Sequence, residues 1–177
     1  MRAQFHLVQL VLAFSAQLAD KQFAMIAKDP LPVEALEITP VLAGLSEEAL
    51  ALLAQEGLYH SFFADEVVVR EGEPGHSLYI LVEGDVEVIK NLESENAVSL
   101  AVLRSHTFFG EMCVIDPVPR VATVYAITPV KAIEIKAATL HHLLQRMPEQ
   151  FAIILLNIAR DMARRLRTLD EAYAAKT

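Results

Sequence analysis

The pattern of apolar and polar positions divides the chain into helical ends and a strand-rich middle. Between residues 59 and 135 the apolar residues come in short runs rich in valine and isoleucine, separated by turn sequences such as Glu-Pro-Gly and Glu-Gly-Asp. Many short strands in one stretch favour a closed barrel or a jelly roll. The pattern predicts a mainly β, α+β fold, a double-stranded β-helix with flanking helices. Its expected strands lie at residues 67–69, 78–82, 86–89, 97–103, 122–127 and 130–135.

Helix signals stand on both sides of the strands. Ser46 is a favourable N-cap for a short helix over 47–55, which has two acids in its first turn and is ended by Gly57. After the strands, helix is predicted at 138–146 and again from Pro148 to about residue 174. We expect a single domain in three parts. They are an N-terminal helix and linker (1–44), the β-roll with its adjoining helices (45–147) and a long C-terminal helix (148–177).

The N-terminal segment is apolar on two helical stripes, which predicts a packing helix covered on more than one side. Pro30 and Pro32 end it and begin an extended linker, because each proline disfavours helix in the preceding residue. A signal peptide or a membrane contact is the alternative, since residues 7–16 follow the basic Arg2. That apolar run is shorter than the ~20 residues that span a bilayer.

The long C-terminal helix carries an apolar stripe whose spacing alternates between three and four residues, with one irregular step at Arg165 and Leu166. A helix of this length cannot bury the whole stripe on one small roll. The stripe therefore predicts a homodimer in which a second helix covers it. Its members are Phe151, Leu155, Ile158, Met162, Leu166, Leu169 and Tyr173.

The composition of the chain argues against several kinds of function. The formal net charge of -8 argues against binding to a nucleic-acid backbone. The single cysteine, Cys113, excludes an intrachain disulfide and favours the cytoplasm. The histidines are scattered, without the spacing of a metal-binding roll, so no metal site is expected.

The run from residue 109 to residue 124 holds one acid, Glu111, and one base, Arg120, in otherwise apolar surroundings. Neither charge would be buried there without a partner. A guanidinium offers a planar fork to a phosphate, and a carboxylate can accept a hydrogen bond from a sugar hydroxyl. Gly110 lets the backbone approach closely. The run predicts a phosphoribose site; the alternative is a buried acid–base pair that only fixes a loop.

This run resembles the phosphate-binding cassette of the cyclic nucleotide-binding domain family, which opens with Phe-Gly-Glu and closes with Pro-Arg-x-Ala-Thr-Val. The likeness continues upstream over residues 68–88, with turn glycines Gly72, Gly75 and Gly84, and covers roughly residues 45–170. It implies that Arg120 and the amides near Glu111 hold a phosphate, and that Glu111 accepts from the ribose 2′-hydroxyl and braces Arg120. The implied ligand contacts are Gly110, Glu111, Met112, Cys113, Arg120, Val121, Ala122 and Thr123.

Two departures from the family pattern concern the base. Val121 stands where the family usually has a small or hydroxylated residue, so it offers no hydroxyl to a guanine amino group, which disfavours cyclic GMP. In catabolite activator-type regulators a Thr-Ser pair contacts adenine, and Leu169 and Asp170 occupy that place here. Asp170 can accept from the adenine 6-amino group. Cyclic AMP is the expected ligand, with base recognition left open.

We expect a regulatory protein and not an enzyme: a homodimer that binds cyclic AMP and passes the signal to a downstream protein. The helix after the roll would close over the base, with a hinge near Met147 and Pro148. Related regulators place a helix-turn-helix after this helix, and the 177 residues have no counterpart for it, so DNA is not an expected partner. A membrane is not an expected partner either, because the N-terminal apolar run is too short to span one. The alternatives are a scaffold with a ligand-free cassette and, more distantly, a metal-dependent enzyme.

Overall fold

The centre of the fold is a β-roll of two four-stranded antiparallel sheets. The computed structural model describes residues 31, 33–116 and 118–175. The mainly β jelly roll predicted from the sequence is confirmed. Its strands are β1 (Leu58–Phe62), β2 (Val67–Val69), β3 (Ser77–Glu83), β4 (Val86–Lys90), β5 (Val98–Leu103), β6 (Phe108–Phe109), β7 (Thr123–Ala126) and β8 (Val130–Lys136). The strand orders of the two sheets are β1-β8-β3-β6 and β2-β7-β4-β5.

Helices precede, interrupt and follow the roll. They are α1 (Val33–Glu37), a 3-10 turn (Pro40–Leu42), α2 (Glu47–Glu56), α3 (Met112–Ile115), α4 (Ala137–Arg146) and α5 (Pro148–Ala174). The Ser46 side chain accepts a hydrogen bond from the Ala49 amide, which confirms the predicted N-cap, and Pro148 lies in the first turn of α5. Among the described residues, no helix is long and apolar enough to cross a membrane.

Five described elements were not predicted: β1, β6, α1, the 3-10 turn and α3. β1 has few β-branched residues and is held by its pairing with β8. β6 is only two residues long, below the length at which a pattern shows, and pairs with Tyr79 and Ile80 of β3. α1 lies where an extended linker was expected, and it forms because Leu36 is fully buried in the helical core. The predicted N-terminal helix lies outside the described residues. By their contacts, residues Leu31–Thr177 form one compact unit, and the division at 44/45 and 147/148 stays a prediction.

Two hydrophobic cores share the strands β3 and β8. In β8, Ile133 and Ile135 face the core beneath the helices, whereas Val130 and Ala132 face the core between the two sheets. This alternation follows from the period of two along a strand. Because both faces of the strand are covered, β8 and its neighbour β3 are apolar on both sides. The cassette residues attach to the inter-sheet core through Phe109 and Val124.

Helix α5 joins the helical core only along its first half. Ile154 and Ile158 are fully buried, and the Asn157 side chain donates to the carbonyls of Val41 and Ala43. Further along, the predicted stripe is exposed at Met162, Leu166, Leu169 and Tyr173. In the first part of the stripe Ile158 is buried and Phe151 is half-buried, but Leu155 is 36% exposed, so the domain covers that part incompletely and leaves the second part open.

Two substitutions in α5 separate core packing from the exposed surface. Ile154→Ala should lower the free energy of unfolding by about 2–5 kcal/mol, because it leaves a cavity in the helical core. Leu156→Ala, at a side chain that is 50% exposed, should lower it by less than about 1 kcal/mol. Denaturant titrations at one protein concentration measure both, and equal losses would contradict this assignment of the core.

Candidate functional site

The cassette begins where β6 ends, at a glycine that packs directly on an arginine. Gly110 has φ +83°, and a Cβ atom there would lie 2.6 Å from Nη1 of Arg120 and 2.6 Å from the Ser77 carbonyl oxygen. Only glycine permits both this backbone conformation and this close approach. The chain then enters α3 at Glu111, so the amides of Met112 and Cys113 belong to a first helical turn and have no partner within that helix.

Arg120 is buried, with 8% of its surface exposed, and its contacts in the described part of the chain are with neutral groups. Nη1 donates to the Ser77 carbonyl at 2.9 Å and contacts Sγ of Cys113 at 3.5 Å. Cζ lies 5.7 Å from the centre of the Tyr79 ring, which stacks on Phe109 at 5.0 Å. The guanidinium is thus positioned without a carboxylate to balance its charge, which makes this place suited to an anion.

Glu111 is equally buried, and its ion pair is with Arg165 of α5, Oε1 to Nη1 at 3.5 Å. The expected brace between Glu111 and Arg120 is absent from the ion pairs of the described residues. Arg165 also pairs with Asp161 at 2.6 Å and donates to the Phe108 carbonyl at 3.2 Å. Arg165 was not predicted as a site residue; the irregular step of the helical stripe marks its position but does not indicate its partner.

A cavity of about 320 Å³ joins these groups. Of the predicted contacts, Gly110 to Cys113 and Arg120 to Ala122 line it, and Glu111, Arg120 and Arg165 supply its charges. The remaining lining residues are apolar: Val69, Val88, Leu100, Leu103, Phe109, Val124 and Leu169.

Two predicted contacts lie outside this lining. Thr123 is buried, and its hydroxyl accepts a hydrogen bond from the Glu71 amide at 3.1 Å. Asp170 is exposed on α5, and its neighbour Leu169 is the helix residue that reaches the cavity.

A polar cluster lies behind the arginine, on β1, β3 and β8. The Glu134 carboxylate accepts from Ser77 Oγ and is 2.8 Å from Nε2 of His60. The hydrogen bond with His60 is the largest of the effects that lower the pKa of Glu134 to about 2. Burial, with the nearby Glu134 charge, raises the pKa of Tyr79 to about 12. The Tyr79 phenol is therefore neutral, and the negative charge of this cluster is that of Glu134, which is not among the ion-pair partners of Arg120 in the described part of the chain.

This geometry agrees with a match to a family model. The model described as "Cyclic nucleotide-binding domain" matches residues 59–147, which include α3, Glu111 and Arg120. The chain belongs to the cyclic nucleotide-binding domain family. That family is one of regulatory domains and not of catalytic ones. Within the described ranges, no three His, Cys, Asp or Glu side chains are grouped so as to hold a metal ion.

Relatives of this cyclic nucleotide-binding domain occur in larger regulators. A CRP-like cAMP-activated global transcriptional regulator of Mycobacterium tuberculosis is 30% identical over 141 residues, which are 80% of this chain and 61% of that protein. A cAMP-dependent protein kinase regulatory subunit of Blastocladiella emersonii is 36% identical over 92 residues, 51% of this chain and 23% of that protein. The chain thus spans less than two thirds of the length of either relative.

A solved structure of similar size supports the same fold. The cyclic nucleotide-binding domain from Methylobacillus flagellatus is 26% identical, and the match covers 90% of this chain and 86% of that one with a TM-score of 0.71. The Catabolite Activator Protein of Thermus thermophilus shares the fold at 24% identity and a TM-score of 0.65, covering 77% of this chain and 62% of that one.

The cluster behind Arg120 predicts a pH dependence of stability. Because folding lowers the pKa of Glu134 from 4.5 to about 2, this group stabilises the fold above pH 4.5, and that stabilisation is lost as the pH falls to about 2. In Glu134→Gln this contribution is missing, so its stability should depend less on pH in that window. Denaturant titrations between pH 5 and pH 3 measure the slope. The exposed Glu95→Gln is the control, and it should keep the wild-type slope.

Proposed function

We propose that this chain is a regulatory domain that binds cyclic AMP in the cassette and passes the event to another protein through α5. The observation that carries the proposal is the buried Arg120 at the edge of a cavity, whose contacts with the described residues are all with neutral groups. A phosphodiester carries a single negative charge, which would balance the positive charge of this guanidinium. The lone Cys113 favours action in the cytoplasm.

The polar groups around the cavity match the polar parts of a cyclic nucleotide. Arg120 binds the phosphate through its planar fork, and the first-turn amides of Met112 and Cys113 add neutral donors. The Glu111 carboxylate accepts from the ribose 2′-hydroxyl. Both side chains are held in place before the ligand arrives, by the Ser77 carbonyl and by Arg165, so that little ordering is required on binding.

The base lies in the apolar part of the cavity, beside Val121 and Leu169. Val121 offers no hydroxyl to the guanine amino group, and a polar group that loses its water without a new partner weakens binding. Cyclic AMP is therefore preferred over cyclic GMP. The name of the Mycobacterium tuberculosis relative, which states activation by cAMP, supports this choice.

Arg165 connects the ligand site to the helix that would carry the signal. It lies on α5 and contacts both Glu111 and the Phe108 carbonyl, so a ligand on Glu111 changes the surroundings of a helix residue. Met147, between α4 and α5, has φ −140° and ψ 66°, and is the proposed hinge. The exposed apolar second half of α5 then packs on a second copy, and the downstream partner responds to the helix movement.

A ligand-free scaffold is the second candidate. It is favoured by the contacts that Arg120 and Glu111 already make within the chain, with Ser77, Cys113 and Arg165. In that case the same dimer would form, and the cavity would have no role in regulation.

Calorimetry with cyclic AMP separates the two candidates. Wild type should bind, and Arg120→Ala should lose about 100-fold or more in affinity because a charge-assisted contact to the phosphate is removed. Arg120→Lys should bind between the two, since lysine keeps the charge without the fork. Arg160→Ala, an exposed arginine on α5, is the control and should bind like wild type. Absence of binding by wild type to both cyclic AMP and cyclic GMP would favour the scaffold.

Dimerisation is tested on the exposed part of α5. Leu166→Asp places a charge at a side chain that is 59% exposed in the stripe, so sedimentation should show a monomer where wild type is a dimer. Leu144→Asp changes an exposed leucine of α4, outside the stripe, and should leave the dimer intact. A monomeric wild type at micromolar concentration would contradict the proposal of a stable dimer.

A further inference from the structure

The segment that closes the cassette, residues 120–123, is held from its outer side by the loop after β2. The Gly72 amide donates to the Arg120 carbonyl at 2.8 Å, and the Arg120 amide donates to the Glu73 carbonyl at 2.8 Å. The Glu71 amide donates to the Thr123 hydroxyl at 3.1 Å. These three contacts fix the backbone on both sides of Val121.

A lysine at the end of β4 holds Val121 itself. Lys90 Nζ donates to the Val121 carbonyl at 2.7 Å and to Oε1 of Glu71 at 2.5 Å. The second carboxylate oxygen of Glu71 accepts from the Asn91 amide at 2.8 Å. The ammonium group is therefore shared between the cassette backbone and a carboxylate that is itself held in place.

We propose that Lys90 and Glu71 are a positioning pair that fixes the peptide groups of Val121 and Ala122 for phosphate binding. The inference rests on the proposed function. It adds two residues that do not line the 320 Å³ cavity and that act through the backbone beside Arg120.

The geometry of the trans peptide explains how the pair acts. In a trans peptide the N–H points opposite to the C=O of the same plane. Because the Val121 carbonyl points at Lys90, the Ala122 amide is directed away from Lys90. Likewise, the Arg120 carbonyl points at Gly72, so the Val121 amide is directed away from that loop. Both residues line the cavity, so the outer contacts decide how their amides are presented to an anion.

The charge state of Glu71 agrees with this role. The hydrogen bond from Lys90, followed by that from the Asn91 amide, lowers the pKa of Glu71 from its ordinary value. The carboxylate is thus ionised at neutral pH and keeps the lysine in position. A lysine without this neighbour would exchange its carbonyl contact for water, since its flexible side chain is strongly hydrated.

The alternative is that Lys90 acts on the phosphate only through its charge. Four variants separate this alternative from a positioning role. Lys90→Met removes the donor, and Glu71→Gln removes the anion that holds it. Lys90→Arg keeps a cation that can reach both acceptors. Arg70→Met is the matched control, because Arg70 forms an ion pair with Glu93 close to the same loop and makes no hydrogen bond to the segment 120–123.

Calorimetry with cyclic AMP at low and high salt measures the effect. If the pair positions the backbone, Lys90→Met and Glu71→Gln should each weaken binding by about tenfold, the double variant should be no weaker than Lys90→Met, and Lys90→Arg should bind like wild type. If Lys90 acts only by its charge, Glu71→Gln should tighten binding, Arg70→Met should weaken it, and both effects should fade at high salt. That second set of results would overturn the inference.

A measurement without ligand keeps this test separate from the proposed function. Hydrogen exchange of the ligand-free protein should show faster exchange of the residue 120–124 amides in Lys90→Met and Glu71→Gln, with unchanged exchange in the helical core and in Arg70→Met. Unchanged exchange at residues 120–124 would overturn the inference even where wild type binds cyclic AMP. Faster exchange in a protein that does not bind would instead contradict only the proposed function.

Discussion

The structure around the cassette depends on one constraint, the burial of the Arg120 guanidinium with no ion-pair partner among the residues that the structure describes. Removing such a charge from water is unfavourable unless polar groups replace the water. The Ser77 carbonyl and the Tyr79 ring do so only in part. A Cβ atom on Gly75 would lie 2.2 Å from Sγ of Cys113 and 3.1 Å from Cδ of Arg120. A side chain at Gly75 would therefore clash first with Cys113 and then crowd Arg120, and a side chain at Gly110 would clash with Arg120 itself.

The two hydrophobic cores explain how a loop with this constraint stays in place. The inter-sheet core holds Phe109 and Val124, which lie just before and just after the cassette contacts. The helical core holds the first half of α5 through Ile154 and Ile158. Strands β3 and β8 belong to both cores, so the helix and the cassette are positioned on one rigid element. The Arg165 side chain extends from the helix to the cassette, where it forms an ion pair with Glu111 and donates to the Phe108 carbonyl.

The sequence allowed the fold class and most of the cassette to be predicted, because charged residues in an apolar run and glycines at turns are local signals. Contacts between distant segments had no such signal. Glu111 pairs with Arg165, 54 positions away, and not with the arginine of its own run. The rotation of α5 brings Leu169 and not Asp170 to the cavity. That rotation is set by the packing of the helix on the roll, and the apolar stripe in the sequence does not predict it.

The ion pair between Glu111 and Arg165 sets a limit on how signalling can work. Its atoms are 3.5 Å apart, and the Arg165 side chain is 38% exposed, so the contact is looser than the 2.6 Å pair with Asp161. A carboxylate has acceptor sites for both an arginine and a hydroxyl. In the proposed binding mode, the ribose would therefore not need to displace Arg165 from Glu111, and the bound ligand would draw the helix closer.

Because coupling between two sites is reciprocal, any partner that holds α5 against the cassette must then also raise the affinity for the ligand. In the dimer proposed above, a second copy packed on the exposed stripe would hold α5 in this way, and dimerisation and ligand binding would then be linked.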